Sequence, residues 1–157
     1  MEEFTTNNVL KIFNMKRNTL QDWKMRKFIQ ATAHAEGVQG IRDKYSRDDV
    51  YRISVFKFLK ETMGLSRIKL LAIMLGFQTS FTFKDVGPNH GDIKYMVIEY
   101  GLIPEVPGGT MELFSLHKEP PRVALTGAVD PSTKRSALVI NLLSIKLDVD
   151  ALIEQNL

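Results

Sequence analysis

The chain of 157 residues contains no cysteine, which excludes disulfide frameworks, thiolate metal sites, iron–sulfur clusters and thiol redox sensing together. It also has no long apolar run, because the longest, over residues 70–75, is far shorter than the roughly 20 residues of a membrane-spanning helix. Residues 1–4 are acidic where a signal peptide would be basic and then apolar. These absences predict a cytoplasmic protein with no membrane partner.

Motifs typical of metal-binding, phosphate-binding or catalytic sites are also scarce. The three histidines, His34, His90 and His117, lie far apart, and none has the spacing to another histidine or to paired carboxylates that a metal site needs. The segment 107–110 lacks the lysine and the strand-to-helix context of a phosphate-binding loop, and the sequence has no nucleophile elbow. We therefore expect no enzymatic activity, no catalytic residues, no metal and no cofactor.

What the chain does have is a composition that can fold and an uneven distribution of charge. Hydrophobic residues make up 44% and charged residues 25%, as is usual for soluble globular proteins. Residues 1–76 contain 14 Lys and Arg against 8 Asp and Glu (net +6), whereas residues 77–157 contain 7 against 10 (net −3). A basic front half favours contact with a polyanion, although a basic face is more often only a solvated surface.

The first helix is predicted from its capping signals. Thr5 is a natural N-cap with Asn8 at the third helical position, and Phe4 is placed to pack on Val9 as a hydrophobic staple. We expect this helix to run to about Phe13.

A second short helix follows residues 14–16. Leu20, Trp23 and, just past the helix, Phe28 recur at helical spacing, whereas the opposite side is basic. Two short helices joined by about three residues are a helix-turn-helix candidate. Trp23 and Phe28 are expected in the core and not as stacking platforms for bases.

A small β element is predicted next. Residues 30–44 have neither a helical nor an alternating period and contain Gly37 and Gly40, which indicates a β-hairpin wing with basic side chains. Ser46 then supplies an N-cap with Asp49 at the third helical position, so a third helix should begin there.

A fourth helix should follow the third, which is expected to stop near Gly64. Ser66 opens the fourth helix and Gly76 is its natural C-cap. Residues 77–83 do not have helical character. The expected apolar face of the fourth helix consists of Ile68, Leu71, Ala72 and Leu75.

The order of these parts resembles the MerR-type winged helix-turn-helix of bacterial transcription regulators. The resemblance covers residues 4–75 and rests on four segments: Phe-Thr-Thr at 4–6, Thr-Leu-Gln-Asp-Trp at 19–23, Tyr-Ser-Arg-Asp-Asp-Val at 45–50 and Gly-Leu-Ser at 64–66. It implies that the second helix enters the major groove of DNA, that the wing grips the backbone beside it, and that a dimer reads two half-sites.

The resemblance also implies which residues contact double-stranded DNA. Those of the second helix would face base edges or nearby phosphates, and those of the wing would contact phosphates. The candidates are Lys16, Arg17, Asn18, Gln21 and Lys24 on the helix and Arg42 and Lys44 on the wing.

Three positions depart from the family pattern. Gln21 stands where arginine is common, Asp22 where an aromatic residue is common, and Lys27 where glycine usually ends the recognition helix. The base preference of the family therefore does not transfer. Because Asp22 would repel phosphates, we expect it to orient Lys16 or Arg26 instead.

The second half is predicted to begin after a loop at residues 87–91. Asp92 can cap a helix over residues 93–100, closed by Gly101, and a strand over the same residues is the alternative. A turn-rich loop is expected at residues 104–110. Strands are predicted over residues 111–116, 122–126 and 137–140, the last passing into a C-terminal helix.

The apolar stripe of this last helix has two interpretations. Leu142, Ile145, Val149 and Leu152 recur at three-and-four spacing, and they could pack on the sheet of their own domain or form part of a two-fold dimer interface. We favour the dimer interface, because a protein that reads palindromic DNA needs a partner and the usual dimerisation helix of the family is missing.

Aromatic residues of the second half have two interpretations as well. They could line an apolar pocket for a small-molecule effector, or they could serve equally as core. The residues concerned are Phe81, Phe83, Tyr95, Tyr100 and Phe114.

The sequence therefore predicts an α+β chain with a winged helix-turn-helix at residues 1–76, a linker at 77–91 and an α+β dimerisation or effector unit at 92–157. Its predicted function is sequence-specific DNA binding in transcription regulation, as a homodimer on an inverted-repeat operator. Two alternatives stay open: an excisionase-like architectural protein that bends DNA, and a protein-interaction module that has lost DNA binding.

Overall fold

The computed structural model describes residues 2–32, 43–80, 82–102, 110–120 and 136–157. Helices and small antiparallel sheets make up these residues, which confirms the α+β class. The chain divides into two compact units, one of Met1–Lys84 with Ile145–Leu157 and one of Asp85–Ser144. Most of the C-terminal helix belongs to the first unit, and the predicted boundaries at residues 76 and 92 stay a prediction.

The first unit is mainly helical. Its described elements are β1 (Glu3–Thr5), α1 (Thr6–Ile12), α2 (Arg17–Met25), β2 (Lys44–Ser46), α3 (Arg47–Lys57), a π-helical turn (Phe58–Thr62), α4 (Arg67–Ser80), a 3₁₀ turn (Phe83–Asp85) and most of α5 (Leu142–Asn156).

The predicted start of α1 is confirmed. Thr5 is the N-cap, its hydroxyl accepts from the Asn8 backbone N–H at 3.3 Å, and the Asn8 side chain accepts from the Thr5 backbone N–H at 2.9 Å. Phe4 and Val9 are both buried, as a hydrophobic staple requires. This reciprocal capping box satisfies backbone donors that would otherwise lack partners at the helix start.

The end of α2 has the left-handed conformation that glycine normally adopts. Lys27 has a φ of 60°, its N–H donates to the Lys24 carbonyl at 2.8 Å, and the Phe28 N–H donates to the Trp23 carbonyl at 3.0 Å. This pair of bonds is the Schellman motif. It turns the chain so that Phe28 returns to the core beside Trp23, where both are buried as predicted.

The small sheet of the first unit pairs two segments far apart in sequence. β2 pairs antiparallel with β1, with Tyr45 opposite Phe4. The strand at β1 was not predicted, and the predicted wing lies largely outside the described residues, since 33–42 are not among them. Tyr45 and Phe4 are both buried, so the sheet covers part of the core.

The start of α3 confirms the second predicted capping box. Ser46 is the N-cap, its hydroxyl accepts from the Asp49 N–H at 3.2 Å, and the Asp49 carboxylate accepts from the Ser46 N–H at 2.8 Å. The helix then continues through its π-helical turn to Gly64, whose φ of 62° ends it as expected.

Two predictions about α4 are wrong. The helix continues through Gly76 to Ser80, so residues 77–80 are helical. Its buried positions are Leu70, Ile73 and Met74. Of the residues predicted to face the core, Ile68 is 82% and Leu75 51% exposed, Leu71 is half-buried, and the side chain of Ala72 lies outside the description. Residues 70–75 are all apolar, so the periodicity did not distinguish one face from another.

The second unit contains a three-stranded antiparallel sheet. Its strands are β3 (Tyr95–Leu102), β4 (Thr110–His117) and β5 (Ser136–Asn141), in the order β4-β3-β5. β4 and β5 confirm two predicted strands. The predicted strand at 122–126 lies outside the described residues, and so does all but the last residue of the predicted loop at 104–110. β3 is central and is bonded on both sides, so it takes the strand alternative for residues 93–100 and the helix prediction is wrong.

The carboxylate expected to cap that helix stabilises a loop instead. Asp92 accepts from the Asn89 N–H at 2.9 Å, and its own N–H donates to the Asn89 carbonyl at 3.2 Å. The loop predicted at residues 87–91 is therefore present, and the chain leaves it in an extended conformation.

The apolar stripe of α5 is buried in part. Leu142 and Val149 are fully buried within the single chain, whereas Ile145 and Leu152 are only partly buried. The dimer-interface interpretation of α5 stays a prediction.

Candidate nucleic-acid interface

The outward face of α2 is polar and basic. Arg17, Asn18 and Gln21 are exposed, whereas Leu20 and Trp23, on the opposite face, are each 1% exposed. Spacings of three and four residues place the exposed side chains on one stripe. The structure therefore brings together three of the predicted DNA contacts.

The N-terminus of α2 concentrates positive charge. Lys16 is the N-cap residue but its side chain does not cap the helix, and the first turn contains no acidic residue. Arg17 follows it and donates to the Asn7 side-chain oxygen at 2.8 Å. Because the helix dipole is itself positive at this end, cations here disfavour the isolated helix by a few tenths of a kcal/mol and favour a bound anion.

The side chains at the centre of this face are unpartnered within the described part of the chain. The side chains of Lys16, Asn18 and Gln21 have no hydrogen bond or ion pair to another described residue. Amide and ammonium groups held at the surface in this way can bond an external partner without first breaking an internal contact.

Two other predicted contacts are engaged inside the protein. Lys24 is ion-paired with Asp43, and their side chains are 19% and 22% exposed. Lys44 is ion-paired with Glu3 at 2.6 Å between the two strands of the small sheet. Lys24 thus connects α2 to the residue before β2. Arg42, the remaining candidate, lies outside the described residues.

The acidic residue of α2 has a local partner. Asp22 accepts from the Arg26 side chain at 2.6 Å, one of the two partners expected for it. Both side chains are nearly half exposed, so the pair adds only about 0.3–0.5 kcal/mol to stability. Its main effect is that the carboxylate charge on this helix is neutralised locally.

An aromatic cluster holds α2 on α3. The Trp23 and Phe56 rings meet edge to face with centroids 4.7 Å apart, and Phe28 stacks on Phe56 at 4.9 Å. Lys60 Nζ lies 5.1 Å from the centroid of Trp23. These contacts give the exposed face of α2 a rigid support, because aromatic pairs add about 0.5–1.5 kcal/mol beyond the area that they bury.

A cavity of about 630 Å³ in the first unit was not predicted. We call it the α3–α5 cavity, because it is lined by the start of α3, the chain around the 3₁₀ turn and α5. Two lining residues are bonded to each other, since the Tyr51 hydroxyl donates to the Asp150 carboxylate at 2.6 Å, and Arg47 lies 3.2 Å from the same carboxylate. Burial first, and then the hydrogen bond to Asp150, raise the pKa of Tyr51 well above its usual range.

Sequence reasoning could not have found this cavity. Tyr51 and Asp150 are 99 residues apart, and neither belongs to a motif. Of the aromatic residues expected to form an effector pocket, Phe83 lines the cavity, whereas Tyr95 belongs to the other compact unit. Phe81 and the side chains of Tyr100 and Phe114 lie outside the description.

The described residues contain no cluster of the kind that binds a metal ion. No group of three or more His, Asp or Glu side chains there could hold a metal ion. The His117 ring nitrogen lies 2.8 Å from the Ser115 hydroxyl, and His34 is outside the description.

Across the described helices, none combines the length and the apolar character needed to cross a membrane.

No protein-family model matches this chain, and no curated protein is significantly similar to it.

Proposed function

We propose that the protein is a sequence-specific, DNA-binding transcription regulator of the MerR-like type. In this proposal it acts in the cytoplasm as a homodimer on an inverted-repeat operator, and it catalyses no reaction. The resemblance of residues 4–75 supplies the class, and the surface chemistry of α2 supplies the physical support.

One observation carries the proposal: the exposed, basic N-terminal face of α2, on which the side chains of Lys16, Asn18 and Gln21 have no partner among the described residues. Lys16 and Arg17 add charge to the positive end of the helix, where phosphate oxygens are favourable ligands. Asn18 and Gln21 then present amides, which can bond base edges in the major groove. Cations at the N-terminus of a helix lower the stability of that helix, so they bring no benefit to a face that contacts only solvent.

The candidate residues take three different roles in this proposal. Lys16 and Arg17 contact phosphates, and Asn18 and Gln21 contact bases, which separates affinity from sequence preference. Lys24 positions the helix through Asp43 and does not reach DNA as a free cation, because its side chain is four-fifths buried. Lys44 and Arg42 remain the proposed phosphate contacts of the wing.

The first test is selection of random duplex DNA by the purified protein at low and at near-physiological salt. We expect an enriched inverted repeat, bound with a slope of log affinity against log salt near −4 to −5 per protomer if about five phosphates are neutralised. Phased tandem protection would instead favour an architectural protein of the excisionase kind.

Variants of α2 then test the assignment of roles. Arg17→Ala should weaken binding to all sequences and reduce the salt slope by about one, whereas Gln21→Ala should mainly relax the preference at one base position. Lys118→Ala, an exposed cation of the second unit, is the matched control and should leave binding unchanged. Retained affinity and slope in a folded Arg17→Ala protein would refute the assignment.

A protein-interaction module is the second candidate, and Met25 favours it. This side chain is 84% exposed and lies one turn beyond Gln21 on the same face of α2. An exposed methionine suits an apolar contact with another protein better than a contact with phosphate. A folded protein without any salt-dependent binding to DNA would select this candidate.

A further inference from the structure

Two exposed helix faces of the first unit take no part in the proposed DNA contacts. One lies on α4 and the other on α5, and their residues all belong to the first compact unit. Both helices border the start of α3, because Met74 of α4 and Lys146 of α5 each line a cavity together with Asp48. The two helices therefore belong to the same region of this unit.

The α4 face is apolar, with cations on its two sides. Ile68 is 82% and Leu75 51% exposed, and positions seven apart fall on one stripe of a helix. Arg67 and Lys69, both exposed, lie on opposite sides of Ile68, because successive helical residues are turned by about 100°. The Arg67 side chain has no partner among the described residues. Apolar surface with a charged rim is typical of a contact between proteins.

The α5 face has the same layout with the opposite charge. Leu147 is 58% exposed, and Ala151, also exposed, lies one turn further along the same stripe. Asp148 and Glu154 lie on opposite sides of Ala151, and both are exposed. Neither carboxylate has a partner among the described residues. The buried residue Val149 marks the other side of the helix, so this face is open in the single chain.

The charges favour contact between unlike faces. Two α4 faces would bring cations against cations, and two α5 faces would bring carboxylates against carboxylates, which is unfavourable across an interface. An α4 face against an α5 face instead places two cations opposite two carboxylates around an apolar centre. Because each chain has one face of each kind, a two-fold dimer makes this contact twice.

We infer that a second copy of this chain covers both faces, with α4 of each protomer packed against α5 of its partner. Ile68, Leu75 and Leu147 form the apolar centre of the contact, and the cations of α4 meet the carboxylates of α5 around it. The contact supplies the homodimer of the proposed function, and its role in DNA binding rests on that function.

The test reverses the charge of one face at a time. An acidic variant has Arg67→Glu with Lys69→Glu, and a basic variant has Asp148→Lys with Glu154→Lys. Sedimentation of the full chain without DNA, over a series of concentrations, should show a dimer for the wild type. Each variant alone should associate at least about tenfold more weakly, because like charges then meet twice in every dimer.

A mixture of the two variants is the decisive sample. In the mixed dimer the acidic α4 meets the basic α5, and the basic α4 meets the acidic α5, so both contacts again join opposite charges. We therefore expect an equimolar mixture to dimerise as the wild type does, although neither variant does so alone.

The matched control makes the same charge change in the second unit. Lys94→Glu with Lys118→Glu should dimerise as the wild type does. Ile68→Lys should weaken the dimer, because it places a charge in the apolar centre. Folding of every variant is checked by unfolding below the dissociation constant of the wild-type dimer, where the chain is a monomer and the α4 face contacts solvent.

Three outcomes would overturn the inference. They are a wild type that stays monomeric at all concentrations, a mixture that stays monomeric beside a dimeric wild type, and an acidic variant that dimerises as tightly as the wild type. Oligomers that keep growing with concentration would overturn the two-fold arrangement, because a contact between unlike faces that does not close forms filaments.

A final measurement separates the contact from the proposed function. Absence of any DNA binding overturns the proposed function, whereas sedimentation without DNA still decides the contact. On the selected operator, the mixture should bind with wild-type affinity, and each variant alone should bind at least about tenfold more weakly. Wild-type operator affinity in a monomeric variant would overturn the role of the contact in DNA binding.

Discussion

Replacing Lys27 with glycine should stabilise the first unit. Lys27 holds a φ of 60°, a conformation that costs an L-residue with a side chain roughly 1–2 kcal/mol. Glycine avoids this cost but loses more backbone entropy on folding, by roughly 0.5–1 kcal/mol relative to alanine. Lys27→Gly should therefore increase the free energy of unfolding by about 0.5–1 kcal/mol.

The assay is urea unfolding followed by tryptophan fluorescence. Trp23 is the single tryptophan of the chain, it lies at the end of α2, and its signal reports the first unit separately from the second. The Schellman bonds of Lys27 and Phe28 are made by the backbone, so both are preserved in the variant.

Lys11→Gly is the matched control, because Lys11 is also an exposed lysine but lies within the last turn of α1. It should lower the free energy of unfolding by about 0.5–1 kcal/mol, since glycine disfavours a right-handed helix. Lys27→Val should also be destabilising, because a β-branched side chain fits the left-handed conformation poorly. A Lys27→Gly variant that is no more stable than wild type, beside a normal control, would refute the conformation assigned to residue 27.

Further perturbations test the capping, the α3–α5 contact, the buried phenol and the exposed helix face. Ser46→Ala should lower the free energy of unfolding by about 1 kcal/mol in the same fluorescence assay, and Ser46→Asp should largely preserve it. Tyr51→Phe should cost about 1 kcal/mol, because it removes the hydrogen bond to Asp150; an unchanged stability would contradict that bond. Burial, and next the charge of Asp43, raise the pKa of Tyr45 from 10.0 to about 12. The stability that Tyr45 contributes is therefore complete below pH 10 and is lost as the pH rises towards 12. Phenolate absorbance and unfolding curves measure this, and ionisation of all tyrosines near pH 10 in the folded protein would contradict it. Ile68→Lys should leave the free energy of unfolding within about 0.5 kcal/mol of wild type, because Ile68 is 82% exposed on α4; a larger loss would contradict the face of α4 assigned to solvent.

Short-range signals explain the predictions that were confirmed. Thr5 and Ser46 begin helices because each bonds a residue three positions ahead, and both partners are visible in the sequence. The same holds for the end of the third helix at Gly64, which depends on the conformation of one residue. The exposed polar face of α2 was likewise predictable, because Leu20 and Trp23 mark the opposite face.

Predictions failed where two local structures had similar free energies. Residues 93–100 suit both a helix and a strand, and pairing of β3 with β4 and β5 on both sides decides between them. α4 is apolar around much of its circumference, so the sequence could not indicate that Ile73, and not Ile68, would be buried. In both cases the deciding contacts come from distant segments.

The sequence by itself determined the starts and capping boxes of α1 and α3, the polar face of α2 and the residues that resemble a winged helix-turn-helix. Only the tertiary structure decided that Lys24 is bound to Asp43, that β1 pairs with β2, and that α5 returns to α3 to form a cavity. The physical reason is the range of the interactions: a cap acts over three or four residues, whereas the bond between Tyr51 and Asp150 joins residues 99 positions apart and exists only after the chain has folded.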